Sequence, residues 1–206
     1  MTPRLLTFLL LLTVMAGCQS GVPPKASTEP YETVGKDPRR DTDTARAENA
    51  TAVALLEKGD DTAAESALKR ALAADVMFGP AHNNLGKIYY RQNKFYLAGW
   101  EFEYASKLMP HHAEPKNNMG MVFEVAGKYD DAVACYGDAL RLDPNNPEII
   151  SNQARARIHR GDSGPELRDL LTKIITLDSR PQWIQWAKER LALMPPERPP
   201  STSTQP

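Results

Sequence analysis

Four histidines and two cysteines are the side chains of this 206-residue chain best suited to metal or nucleophilic chemistry. Their placement argues against both. His111 and His112 are adjacent, in a stretch that brings no third ligand at zinc-type spacing. Cys135 stands alone in the interior of the sequence and reads as a small packed apolar residue. There is no glycine-rich phosphate loop of known spacing and no nucleophile elbow. The expectation is a protein without catalytic residues, metal or cofactor. Non-covalent chemistry is better represented. Asn84, Asn118 and Asn152 recur every 34 residues, and an amide side chain offers two donors and an acceptor to any main chain it meets. Two readings stay open for them: contact with a ligand, or bonds that tie neighbouring helices together. A formal charge of −1 gives no argument for a nucleic-acid partner or a polybasic grip on anionic membrane.

Cys18, the other cysteine, follows Arg4, the apolar run Leu5 to Val14, and Met15-Ala16-Gly17. The run is too short for the roughly 20 residues of a spanning helix. Small residues directly before a cysteine resemble the lipobox of bacterial lipoproteins, with Met15 where leucine is usual. That resemblance implies a signal peptide over 1–17 and acylation of Cys18, and several acyl chains on one residue give stable anchoring. Gln19 in place of aspartate implies delivery to the outer membrane, with the body facing the periplasm. In an organism lacking an outer membrane, the anchor would sit in the plasma membrane. The segment 18–44 holds Pro23, Pro24, Pro30 and Pro38 and few apolar residues, so it is expected to be a disordered tether. The proline-rich stretch 195–206 is read as a disordered tail.

Between these flanks a 34-residue period organises the chain. Leu85 and Met119, Gly86 and Gly120, Tyr89 and Phe123, Phe95 and Tyr129 are separated by it, as are Ala98 and Ala132, Phe102 and Tyr136, Ala105 and Ala139, Pro110 and Pro144. The pattern resembles the tetratricopeptide repeat (TPR), at that family's repeat length, with His82 and Lys116 where a large aromatic is usual. Ala64, Leu68 and Ala71 extend the period upstream, and Gly59, Asn93, Gly127 and Gly161 form a ladder of residues suited to the left-handed turn of a hairpin. The expected fold is all-α: a right-handed superhelical stack, or α-solenoid, over 45–194. It comprises four hairpins (45–78, 79–112, 113–146 and 147–181) and a C-terminal capping helix over 182–194 that carries Trp183, Ala187 and Leu191 on one stripe.

The resemblance implies that the first helices line a concave groove holding peptides. The residues placed to face it are Asn83, Asn84, Lys87, Tyr90 and Arg91 in the second hairpin, Asn117, Asn118, Met121 and Glu124 in the third, and Ser151, Asn152, Arg155 and His159 in the fourth. Lys87, Arg91 and Arg155 lean that groove basic, which suits a mildly acidic peptide. The family's carboxylate-clamp positions are not matched, because Asn83 and Lys87 exchange the expected residue types. Tyr96, Trp100 and Tyr104, spaced by four, fall on the opposite, outer face of their helix, and exposed aromatic patches tend to mark contacts. The overall reading is a non-enzymatic protein-binding scaffold displayed on a membrane by its lipid, with self-association allowed and no nucleic-acid partner. Two alternatives share the layout: a pilotin-like accessory lipoprotein for pilus or secretion-channel assembly, and a docking regulator of a cell-wall enzyme.

Overall fold

The computed structural model describes residues 40–195, and every regular element among them is an α-helix. The expected signal peptide over 1–17, Cys18, the expected tether up to residue 39 and the expected tail beyond residue 195 lie outside the described residues. Four hairpins follow one another: α1 (Thr42–Glu57) with α2 (Asp61–Ala74), α3 (Gly79–Arg91) with α4 (Phe95–Leu108), α5 (Ala113–Val125) with α6 (Tyr129–Leu142), and α7 (Pro147–Arg160) with α8 (Pro165–Leu177). A ninth helix, α9 (Pro181–Leu193), closes the stack. None of the helices in this range is long and apolar enough to cross a membrane.

The turns inside the hairpins follow from backbone sterics. Gly59, Asn93, Gly127 and Gly161 all take positive φ, between 59° and 96°. Glycine does so without a Cβ clash, and asparagine is among the residues that tolerate it best. The starts of α1, α2 and α7 are capped by side-chain oxygens. Asp60 accepts the Ala63 N–H at 3.0 Å, and Asn146 accepts from Glu148 and Ile149 ahead of Pro147.

Two boundaries differ from the sequence expectation. Helix α1 begins at Thr42, three residues inside the stretch assigned to the tether. Asp41 caps it by accepting the Thr44 N–H at 3.0 Å, and its own N–H bonds the Ala74 carbonyl at 3.1 Å. The buried carboxylate of Asp75 then receives Thr42 Oγ1 at 2.8 Å and Arg40 Nε at 3.3 Å, so the entering chain is fastened to the end of α2. At the other end α9 begins at Pro181, one residue early, because proline is accepted in a first helical turn.

Packing explains the alternation of small and large residues. A Cβ on Gly86 would lie 2.6 Å from the Phe102 ring, and one on Gly120 would lie 2.5 Å from the Tyr136 ring. The glycines let the two helices of a hairpin approach until a fully buried aromatic fills the space between them. Ala64, Ala98 and Ala132 do the same from the second helices. The fourth hairpin uses bulkier residues, with Leu167, Leu171 and Ile174 buried against Ile150 and Ala187. Each helix packs on the next along the chain, and α1, α3, α5 and α7 also touch in succession. These first helices therefore form one continuous wall.

Candidate functional site

That wall is stitched by amides. Asn84 Nδ2 donates to Asn49 Oδ1 at 2.9 Å, Asn118 to Asn83 at 2.9 Å, and Asn152 to Asn117 at 3.0 Å. Each bond joins one first helix to the next, always across 35 residues. Asn83, Asn117, Asn118, Ser151 and Asn152 are buried. Of the two readings left open for the asparagines, the tie between helices is the one the side chains make. Asn83, Asn117, Asn118 and Asn152 are largely enclosed in these ties, while Asn84, which makes the same bond, stays partly exposed. A buried amide must satisfy its polar atoms, and the neighbouring helix is the nearest source. Ser151 is enclosed likewise. Its hydroxyl donates to the Pro147 carbonyl at 2.7 Å and meets Asp178 at 3.3 Å, which ends the ladder where a fifth hairpin would continue it.

The cations of the predicted groove are also engaged. Arg91 pairs with Asp61 at 2.7 Å, and Lys87 pairs with Glu114. Arg155 grips Glu124 through two bonds, 2.6 Å from Nε and 2.9 Å from Nη2. Glu124 also accepts from the Tyr136 hydroxyl at 2.9 Å. Burial, with the Glu124 carboxylate beside it, pushes the Tyr136 phenol far above its usual range. Burial is the largest single influence and works against the Arg155 charge, but the bond to Glu124 and the Glu124 charge, with Tyr136 and Tyr90, together outweigh it and raise that pKa. With its three cations neutralised in pairs, the groove does not carry the basic lean expected of it.

What remains open on the concave side is a channel of about 310 Å³ lined by Tyr90, Met121, Glu124, Val125, Tyr129, Arg155 and His159. Five of these residues were named from the sequence; Val125 and Tyr129 were not. The channel is bounded by ring contacts: Tyr90 meets Phe95 edge-on at 5.4 Å, and Tyr129 stacks on His159 at 5.3 Å. Arg155 also lies 5.7 Å from the Trp183 ring, whose environment includes Arg180 at 5.3 Å. Lys87 is not part of this channel. It lines a separate hollow of about 470 Å³ with His111, His112, Glu114 and Asn117. Tyr129 carried a signal, since it is the period-mate of Phe95 at a turn. Val125 carried none, because its exposure depends on where the helix ends.

On the outer face Tyr96, Trp100 and Tyr104 stand exposed as expected, at 76%, 48% and 49%. They form a chain of rings, with centroids 6.3 Å and 6.2 Å apart, and Tyr104 stacks on the buried imidazole of His82 at 5.4 Å. His82 bonds Glu101 at 2.6 Å and the Val76 carbonyl at 2.8 Å. It thus occupies the site of the usual large aromatic with a ring that must also be satisfied as a polar group. Cys135 is half-buried, and burial together with Asp138 and Asp131 pushes its thiol up to about 11, so little reactive thiolate is present at neutral pH. No three His, Cys, Asp or Glu side chains gather in the manner of a metal site among the described residues.

Comparisons with known proteins agree with this architecture. Two family models, both described as tetratricopeptide repeat, match residues 113–146 and 49–107. Among solved structures, the first TPR of Spaghetti (RPAP3), bound to the HSP90 peptide SRMEEVD, is 19% identical with a TM-score of 0.58, covering 60% of this chain and 98% of that one. PilF of Pseudomonas aeruginosa is 21% identical with a TM-score of 0.62, over 76% of this chain and 73% of that one. A mutant of Thermobaculum terrenum O-GlcNAc transferase is 24% identical with a TM-score of 0.62, but this chain spans only 26% of its length. At these identities the structural likeness concerns the fold. Taken with the 34-residue period, the family models identify tetratricopeptide repeats at residues 49–107 and 113–146, on an all-α hairpin stack whose fold the solved structures share.

Proposed function

We propose that this protein is an interaction scaffold held at a membrane by a lipid on Cys18, with its concave channel seating a peptide segment of a partner protein. The observation that carries the reading is the channel itself. Side chains from α3, α5, α6 and α7 converge on about 310 Å³ of open space, while the amides that build its wall are consumed internally. Arg155 and Glu124 pair with each other, and beside that pair the channel presents the polar tips of Tyr90, Tyr129 and His159 together with the aliphatic Met121 and Val125. A partner segment offering hydrogen-bonding groups beside one apolar side chain fits that mixed surface better than a string of carboxylates. Membrane display rests on the apolar run before Cys18 and on the small residues at 16 and 17. Delivery to the periplasmic face of an outer membrane rests on Gln19.

A photoreactive residue in place of Tyr90, compared with one in place of Asp138 on an outer face, tests the groove. The expected outcome is a protein crosslink from position 90 that Met121→Arg removes. Equal labelling from both positions would count against the channel. Mass spectrometry of the mature chain tests the anchor. Acylation at Cys18 is expected, with Cys18→Ser releasing the body from membranes. The pilotin-like version predicts a secretin that fails to reach the outer membrane in the deletion strain. The version that docks a cell-wall enzyme predicts altered peptidoglycan turnover instead.

A further inference from the structure

The channel does not account for the aromatic ridge on α4. Tyr96, Trp100 and Tyr104 are not required by repeat packing, since the equivalent sites are Asp130, Ala134 and Asp138 in the next hairpin and Thr62, Ser66 and Arg70 in the previous one. Beside the ridge lies an apolar cleft of about 220 Å³ between α4 and α5, floored by Gly99, Met119, Val122 and Phe123, with Glu103 as its only charged lining residue. Gly99 is what keeps the cleft open. A Cβ there would meet nothing nearer than Val122 Cγ1 at 3.7 Å, so packing does not demand glycine. One period later the site holds Val133, which is buried in the core cluster that includes Ile149 of α7 and so fills the corresponding space. The second hairpin has a hole where the third has a side chain.

We infer that this ridge and cleft form a second binding surface, distinct from the concave channel, for an extended proline-containing segment that carries a basic residue. Three features select that ligand. The rings stand 6.3 Å and 6.2 Å apart, which matches two residues of a polyproline II helix at about 3.1 Å each. An α-helical ligand has a similar repeat along its axis, so spacing alone does not decide. Hydrogen bonding does. The Tyr96 and Tyr104 hydroxyls and the Trp100 indole N–H are three exposed donors in a row. A polyproline II chain has no internal hydrogen bonds and offers them free carbonyls, whereas the carbonyls of a helix are already used. The cleft is also too small for a helical face and suits a proline ring or one side chain. Charge supplies the third feature. Glu103 rims the cleft in an exposed pair with Lys107 at 2.6 Å that an incoming arginine can displace. Aromatic-lined grooves that take proline-rich segments work by the same logic.

The test uses the full-length chain and a fluorescent nonamer of eight prolines around a central arginine. Saturable binding is expected, with Gly99→Val and Trp100→Ala each weakening it by about tenfold or more. Replacing the peptide's arginine by norleucine should weaken binding to the wild type while leaving binding to Glu103→Gln unchanged. Gly99→Val keeps the test clear of misfolding, because valine already occupies the equivalent site in α6, and its melting temperature should not fall. Absence of saturation, or equal binding by Gly99→Val, overturns the proposal. An amphipathic helical peptide that competes at equal affinity overturns the ligand class. A change of oligomeric state in Gly99→Val without peptide assigns the surface to a second copy of the chain and overturns it as well.

Discussion

Gly86 and Gly99 sit on the two helices of one hairpin, and a methyl group added to each meets different surroundings. At Gly86 it lands 2.6 Å from the buried Phe102 ring, whereas at Gly99 the nearest atom is 3.7 Å away. Gly86→Ala should therefore destabilise the fold by about 1–3 kcal/mol through overpacking. Gly99→Ala should stabilise it by about 0.5–1 kcal/mol by lowering the entropy of a helix-interior glycine. Urea denaturation of both variants checks the pair, and the same sign for both would refute the packing account. His82 makes a second case at this scale. Burial is the largest single influence and opposes its charge, but the bonds to Glu101 and the Val76 carbonyl and the Glu101 charge together outweigh it and raise the His82 pKa. A raised folded pKa contributes stability that is complete below about pH 6.5 and is lost as pH rises through the folded value. Melting temperature should thus decline as pH rises past about 6.5, and His82→Phe should remove that part of the decline. The period made the role of Gly86 legible because Gly120 repeats it. Gly99 has no period-mate glycine, so its meaning appeared only once Val122 and the cleft were seen in space.

The helix hairpin is the element of this molecule, and its outline was readable because turn chemistry and core size both recur at 34 residues. Gly59, Asn93, Gly127 and Gly161 mark every turn, and all four have positive φ. The direction of the amides was harder to read. A helical position facing the groove and one facing the next first helix differ by a single residue, and sequence assigns asparagine equally well to either. Asn49 was not singled out at all, although it sits 34 residues before Asn83 and begins the ladder. The start of α1 was missed for a related reason: the contacts that hold it, Arg40 and Thr42 on Asp75, span more than 30 residues and leave no local pattern. The ladder makes a sharp prediction. Asn118→Ala leaves the Asn83 amide oxygen buried without a donor and should cost about 1–3 kcal/mol. The double variant with Asn83→Ala should cost less than the sum of the two single changes, because each single loss strands the other partner. Strict additivity in a double-mutant cycle would show that the 2.9 Å bond contributes nothing.

At the scale of the whole molecule, a stack of hairpins has two ends, and this chain closes them differently. The entry end uses charge, with Arg40 and Thr42 on the buried Asp75. The exit end uses charge and apolar cover together. Asp178 binds Arg180 at 2.6 Å and accepts from Ser151, while Trp183, Trp186 and Leu191 of α9 pack over Leu167, Leu170, Leu171 and Ile174. The bond from Arg180, working against burial, lowers the Asp178 pKa to about 2. A depressed carboxylate pKa gives stability present above about pH 4 and lost as pH falls toward 2, here on the order of 2–3 kcal/mol. Asp178→Asn should flatten that acid limb of the stability curve without changing the channel. Ending the chain after Arg180 asks more of the fold. The four large apolar side chains of α8 would face water, and in a one-dimensional stack nothing beyond the last hairpin can cover them. The fourth hairpin should then fray first. Amide exchange across 147–177 would rise toward that of an unfolded chain, while the helices of 42–108 keep their protection. Uniform loss of protection from end to end would mean that the stack unfolds as one unit, and the picture of separable hairpins joined by local interfaces would have to be abandoned.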